Sequence, residues 1–256
     1  MKDFLVKGRP TLTVMVQART ADRARALIRQ GLAGGADAFG LQLEAMEPEE
    51  RTPAQLRSLL AEADGKPFYI TNYRYGKNTG CTEEELAQGL LTAAECGGAL
   101  LDIPGDLFCP TPGEMTTDAA AIDQQRSLIA ALHARGAQVL MSSHIVQYTP
   151  LPQVLSVAQE QLARGADIAK IVTAADTPEQ LTEAFAITAA LRQQLPRPYL
   201  FLCGGAQCAL HRRIAPLIAE GMYLCVAERD ELATPVQPLL SEARQVLQAA
   251  GVLGQS

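Results

Sequence analysis

The chain reads as one α/β domain, a (β/α)8 barrel spanning residues 1–256. Three observations predict this. Short strand-like apolar runs alternate with amphipathic helical stretches along the whole length. Eight such pairs give about 32 residues per unit, the size of a barrel of ~250 residues. The turn after the first run, "VQARTADRA", contains no glycine. A doubly wound nucleotide-binding sheet would want a glycine-rich turn there.

The elements follow in order. The first strand is "TLTVMVQA" from Thr11, and "TADRARALIRQGLAGG" supplies a helix that ends in glycine. "AFGLQLEAM" from Ala38 and "KPFYITNYR" from Lys66 are the second and third strands. The helix "TEEELAQGLLTAAECGG" opens on a capping box, with Thr82 at the cap and Glu85 three residues on. "GALLDIPG" from Gly98 and "QVLMSSHI" from Gln138 are the fourth and fifth strands, and "LPQVLSVAQEQLARGA" is the next clear helix. "DIAKIVTAA" from Asp167, "PYLFLCGG" from Pro198 and "MYLCVAE" from Met222 complete the eight.

Composition narrows the function classes. Hydrophobic residues make up 48% and charged residues 20%, an ordinary soluble composition able to bury a large core. A net charge of −6 argues against a nucleic-acid or membrane-surface partner, which would want a basic face. No apolar run reaches the ~20 residues of a membrane span. The opening "MKDFLVKGRP" lacks the apolar stretch of a secretory signal. The six cysteines are scattered without a CxxC pair, which fits a reducing cytoplasm rather than a disulfide framework. "CGGAQC" has no second ligand cluster beside it, so no metal is expected. His133 and His211 read as surface residues of helices, and Cys203 and Cys208 as packed thiols.

Chemistry in a barrel gathers at the C-terminal ends of the strands. "SSHIVQYTP" puts His144 at the end of the fifth strand, and "GADIAKIV" puts Lys170 within the sixth, sharing a face with Ile168 and Val172. A lysine held among apolar residues loses part of its preference for the charged form, and a neutral amine attacks a ketone to form an imine. The imine acidifies a neighbouring C–H, and a histidine beside it can move that proton. The plainer readings are a lysine that reaches solvent or pairs with an acid, and a histidine hydrogen-bonded within its loop.

The wording of these two segments resembles type I 3-dehydroquinate dehydratase. The family form is close to S-[SN]-H-[DN]-F-x-x-T-P followed by G-A-D-[IV]-x-K-[IL]-A. The resemblance implies a (β/α)8 barrel, commonly a homodimer, with no metal or organic cofactor. It implies loss of water from 3-dehydroquinate through an imine on Lys170, with His144 as the proton shuttle. It further implies substrate contacts from Arg74 in "TNYR", Arg213 in "HRRIA", Gln237 in "ATPVQ" and Asp102 in "LDIP". Several positions depart from the family pattern. Gly40 stands for a Glu and Gln42 for an Arg in the second strand; Asn78 stands for a Glu, Pro104 for a Glu and Ala233 for a Ser. Gln42 and Asn78 remain candidate substrate contacts. The altered shell leaves the substrate open to a related hydroxylated cyclic keto-acid.

Two rival readings stand beside this one. A lysine-dependent aldolase on the same barrel would use the glycine turn of "LCGGAQC" to hold phosphate; close strand–helix packing explains the same glycines. A barrel that binds a ligand without turning it over would explain the missing Glu and Arg. Arg212 and Arg213 are adjacent and face different ways on a helix, so one can bind an anion while the other is solvated.

Overall fold

A computed structural model describes residues 4–254. Met1, Lys2 and Asp3, part of the opening stretch read above, lie outside the described residues. The chain alternates strand and helix eight times. The strands are β1 (Thr11–Val16), β2 (Ala38–Gln42), β3 (Phe68–Thr71), β4 (Leu100–Pro104), β5 (Gln138–His144), β6 (Ile168–Ala174), β7 (Tyr199–Gly204) and β8 (Met222–Cys225). The helices are α1 (Ala21–Ala33), α2 (Pro53–Glu62), α3 (Glu83–Glu95), α4 (Ala119–Ala134), α5 (Leu151–Ala163), α6 (Pro178–Gln194), α7 (Cys208–Ala219) and α8 (Leu240–Ala249).

All paired strands are parallel, in the order β7-β6-β5-β4-β3-β2-β1-β8, which is a nearly closed (β/α)8 barrel. At the remaining seam a Cβ on Gly221 would fall 2.9 Å from the Tyr199 carbonyl, so β8 begins hard against β7. Each strand is buried on both faces, as a parallel strand inside a helical shell must be. One face of the strands fills the lumen with Met15, Leu100, Leu140, Ile168, Leu200 and Leu224. The other packs under the helices, as Val14, Ile70, Leu101 and Val139 do. Lys170 lies two residues from Ile168 and so faces the lumen, the parity expected from sequence. Phe4 closes the N-terminal end: its ring meets Tyr69 edge-on at 6.5 Å, and its amide donates to Gln138 Oε1.

The helix starts follow local capping chemistry. Thr82 and Glu85 form the reciprocal capping box predicted for α3, and Thr52 with Gln55 forms another at α2. Glycines with positive φ end α3 and α5, at Gly97 and Gly165.

One expectation is overturned. His211 is not on the surface; it is fully buried. It projects from α7 between Phe185 and Phe201, with Nε2 paired to Thr188 Oγ1 at 3.0 Å. Burial pushes its pKa down to about 4, so it packs as a neutral aromatic ring. His133 is partly exposed and pairs with Asp167, as a surface histidine does.

Candidate active site

The site is built where β3, β4, β5 and β6 end. In the β5–β6 register Ser142 lies beside Lys170, and in the β4–β5 register Asp102 lies beside Leu140. The Lys170 ammonium donates to Asp102 Oδ2 at 3.0 Å, to the Tyr69 hydroxyl at 3.0 Å and to the Tyr73 hydroxyl at 2.6 Å. Both tyrosines in turn donate to Asp102 Oδ2, and Ser142 Oγ donates to Oδ1 at 2.5 Å. Lys170 therefore does not sit in purely apolar surroundings. It has a fully buried countercharge, and three hydroxyls share that carboxylate's remaining lone pairs. Burial and the Asp102 charge push the pKa of both phenols well up, so each remains a neutral O–H.

His144 has its own acid. Its Nδ1–H donates to Glu114 Oε2 at 2.6 Å, and its backbone N–H reaches the same oxygen at 3.2 Å. A carboxylate only accepts, so this contact puts a proton on Nδ1, and in the neutral ring the lone pair is then on Nε2. The ring also stands edge-on to Tyr73, with centroids 5.3 Å apart. Glu114 comes from the loop between β4 and α4 and holds a left-handed φ of 53°. That backbone is unfavourable for a glutamate, and such strain gathers at functional sites. The loop lies over Gly105, where a Cβ would fall 2.2 Å from Met115 Sδ.

The remaining sequence candidates divide. Gln42 lies at the mouth, where its Oε1 accepts from Gln17 Nε2 at 2.8 Å; Gln17 also bonds Thr234. Gln237 is buried with its Oε1 lacking a hydrogen-bond partner among the described residues. Asn78 is buried and accepts from Arg51 while donating to Asn72 and to the Tyr73 carbonyl at 2.7 Å. It braces Tyr73. Arg74 is held between Glu83 at 2.7 Å and Asp106 at 2.8 Å. Burial opposes its charge, but those two acids outweigh it and hold its pKa above the ordinary value. Arg213 points to Glu242 and the Ala209 carbonyl on the flank of α7.

Arg212 takes the inward direction instead. Its Nε donates to the Cys203 carbonyl at 2.6 Å, near the C-terminal end of β7. Burial lowers its pKa, and no carboxylate among the described residues offsets its charge. Gly40 does not leave a space, as a glycine in place of a glutamate suggests it would. A Cβ there would fall 2.3 Å from Met15 Sδ and 3.2 Å from Tyr69, so those side chains already fill the volume. Ala233 packs against the same lumen cluster as Leu202 and Leu224.

Tyr69, Tyr73, Ser142 and Glu114 thus meet Lys170, Asp102 or His144 although motif reading did not pick them out, and of the two adjacent arginines it is Arg212 that turns inward. Tyr69 had a usable signal, a polar tip on a lumen-facing parity. Glu114 had none, because a loop residue has no periodicity. The phosphate reading of the glycine turn also finds an occupant: Ala206 N donates to Asp176 Oδ1 at 2.9 Å and Gln207 N to the Ala175 carbonyl. A carboxylate already fills that turn. Cys203 is buried, and burial pushes its thiol up to about 11, which is a packed thiol rather than a nucleophile. Among the described residues no cluster of three His, Cys, Asp or Glu is placed to hold a metal ion, and no helix is long and apolar enough to cross a membrane.

A single-domain barrel with a lysine and an acid-backed histidine at the ends of neighbouring strands defines a class of barrel enzyme. Comparison narrows it: the chain belongs to the type I 3-dehydroquinase family, whose model matches residues 12–253. It is a dehydratase, a carbon–oxygen lyase. Solved structures agree on the fold. The 3-dehydroquinate dehydratase of Geobacillus kaustophilus superposes with a TM-score of 0.81 at 16% identity, covering 97% of this chain and 93% of that one. The type I enzyme of Clostridium difficile, with covalently modified comenic acid, gives 0.80 at 14% identity, covering 96% and 94%. The Enterococcus faecalis 3-dehydroquinate dehydratase gives 0.71 at 17%, covering 96% and 95%. No curated protein matches the chain in sequence.

Proposed function

We propose that this dehydratase works through an imine on Lys170 and removes water from 3-dehydroquinate or a closely related hydroxylated cyclic keto-acid. The observation that carries the reading is Tyr73, which bonds Lys170 and stands edge-on to His144; this supports an amine and a base acting on one substrate. Lys170 joins the ketone carbon and the ketone oxygen leaves as water. His144 Nε2 takes the proton from the adjacent carbon, and the electron pair flows into the imine. The same proton then accompanies the departing hydroxyl, and hydrolysis frees the product. Arg212, a cation without an acid of its own, suits the substrate carboxylate. The unpaired Gln237 carbonyl suits a substrate hydroxyl.

An aldolase acting on a phosphorylated substrate is disfavoured by Asp176, which already fills the turn where phosphate would bind. A barrel without turnover is disfavoured by the acid behind His144. By family membership we also expect a homodimer; with six free thiols, a reducing cytoplasm suits it. The test is incubation with 3-dehydroquinate and related keto-acids under borohydride, followed by peptide mass spectrometry. The reading expects the substrate's mass on the Lys170 peptide. A label confined to another lysine, or none with any keto-acid, overturns it.

A further inference from the structure

We infer that Tyr73 is a catalytic residue that relays protons between Lys170, Asp102 and the substrate's carbonyl oxygen during imine formation, an assignment that rests on the lysine–imine reading above. Tyr73 lies in "TNYR", the segment that the resemblance reads for Arg74 alone. Its hydroxyl accepts from Lys170 Nζ at 2.6 Å, the shortest of that ammonium's three contacts, and donates to Asp102 Oδ2.

Position separates it from its neighbour Tyr69, which bonds the same two groups. Tyr69 lies within β3, 1% exposed, and packs against Phe4 on the closed floor of the barrel. Tyr73 lies beyond the end of β3, 5% exposed, edge-on to His144 on the open side. Asp102 is fully buried beneath both. A carbonyl oxygen arriving from the mouth meets Tyr73 first. Asn78, holding the Tyr73 carbonyl, and the adjoining Glu44, accepting from its amide at 3.3 Å, keep it there.

The proton balance closes within this group. Lys170 starts as an ammonium and Asp102 as a carboxylate. One proton passes from Nζ to Asp102, through the Tyr73 hydroxyl or directly, and frees the nitrogen lone pair. Nitrogen attacks the carbonyl carbon, and the C=O pair moves onto oxygen. Tyr73 protonates that oxygen and is refilled from Asp102. A second proton leaves nitrogen for Asp102, then travels through Tyr73 to the hydroxyl, which departs as water while the nitrogen pair forms C=N. The water carries two protons that began on the ammonium, and the imine keeps the third. Charge is conserved throughout, and no outside acid or base is required. The raised phenol pKa suits a group that ends each step as it began, as a neutral O–H.

The experiment compares the wild-type chain with Tyr73→Phe, which removes one oxygen and keeps the ring. The probe is 3-dehydroquinate with deuterium on the carbon between ketone and departing hydroxyl. Borohydride trapping follows imine formation in a single turnover, and steady-state rates give the isotope effect. We expect trapping to slow by a factor on the order of 10² or more. We also expect the deuterium effect to shrink toward one, because imine formation then limits turnover. Unchanged trapping overturns the role of Tyr73 alone. Trapping and proton abstraction slowed together, with the isotope effect kept, also overturns it and points to a structural role. No adduct in the wild type with this probe or with any related keto-acid removes the imine reading and this one together; where a related keto-acid alone gives the adduct, the same comparison is made with that compound deuterated at the carbon beside its ketone. If Tyr73→Phe is poorly folded by circular dichroism, Tyr73→Met, apolar and without the hydroxyl, replaces it.

Discussion

Glu114 has the role that depends most on backbone conformation. A glutamate with φ of 53° is held against its own preference, and here the return is a 2.6 Å bond to His144 Nδ1. Glu114→Gln keeps the shape and removes the charge. Turnover should fall by roughly 10–10² while borohydride trapping on Lys170 persists, because only the proton transfer depends on this acid. Loss of both in step would show that Glu114 supports the fold of the site instead. Gly40 makes a second case. A methyl there would press Met15 and then Tyr69, so Gly40→Ala should lower stability by about 1–3 kcal/mol in urea unfolding. Shortening Met15 to Ala in the same chain should lessen the penalty of the Gly40 change, and a double-mutant cycle would read that coupling. If the two changes simply add, Met15 is not what fills the place of the absent side chain.

Among the elements, the loop from β4 to α4 does most to shape the site. It carries Glu114, yet it is tied down from below by α5. Arg164, 4% exposed, sits at the end of that helix. It donates to the Gly105 carbonyl at 2.8 Å, the Thr116 carbonyl at 2.7 Å and Gln125 Oε1 at 2.9 Å. These bonds clamp both ends of the loop. Hydrogen bonds to a charged group are worth about 1.5–3 kcal/mol; without Arg164 the Thr116 carbonyl and Gln125 Oε1 would lose their donor, while the Gly105 carbonyl would keep Gln125 Nε2 and the Thr116 amide. Arg164→Met should therefore cost roughly 2–4 kcal/mol of stability. Amide exchange should quicken at Glu114 and Thr116 more than in α5 itself. Uniform exchange across the chain would mean the clamp is global rather than local. The turn into α7 follows the opposite design: Asp176 and Ala175 occupy its amides, which fixes the helix start and excludes anions.

Across the whole molecule, two buried groups make stability depend on pH in opposite senses. Glu44 is 1% exposed, bonded to Thr71 and the Tyr73 amide, and burial raises its carboxyl to about 7. In the unfolded chain it titrates near 4.5. Between those values the folded state keeps a proton that the unfolded state has released. Stability from this group is therefore lost as pH rises from about 4.5 to about 7, by roughly 3 kcal/mol at most. His211, lowered to about 4 by burial, loses stability as pH falls from 6.5. Glu44→Gln should remove the first effect: urea unfolding at pH 5 and pH 8.5 should show the variant gaining on the wild type at the higher pH. Equal differences at both values would mean that Glu44 is ionised in the folded state throughout.

The barrel was legible from local pattern alone. Period-two runs, amphipathic helices, the Thr82 capping box and helix-ending glycines are properties of neighbouring residues, and each strand formed where its run lay. The lysine and histidine were legible too, because strand parity and strand ends can be counted. Asp102 was picked out as a substrate contact, but its pairing with Lys170, and the part of Tyr69 and Tyr73 in that group, were not legible, since these residues come from other strands and meet only when the sheet curls round its axis. The choice between Arg212 and Arg213 needed the rotation of α7 against β7, which a pair of adjacent arginines does not reveal. His211 misled because its helix shows the polar neighbours Arg212 and Arg213, while its shelter comes from α6 and β7. Glu114 lay furthest from view. A loop without periodicity, crossing over a glycine and clamped by an arginine some fifty residues later in the chain, owes its place entirely to tertiary contacts.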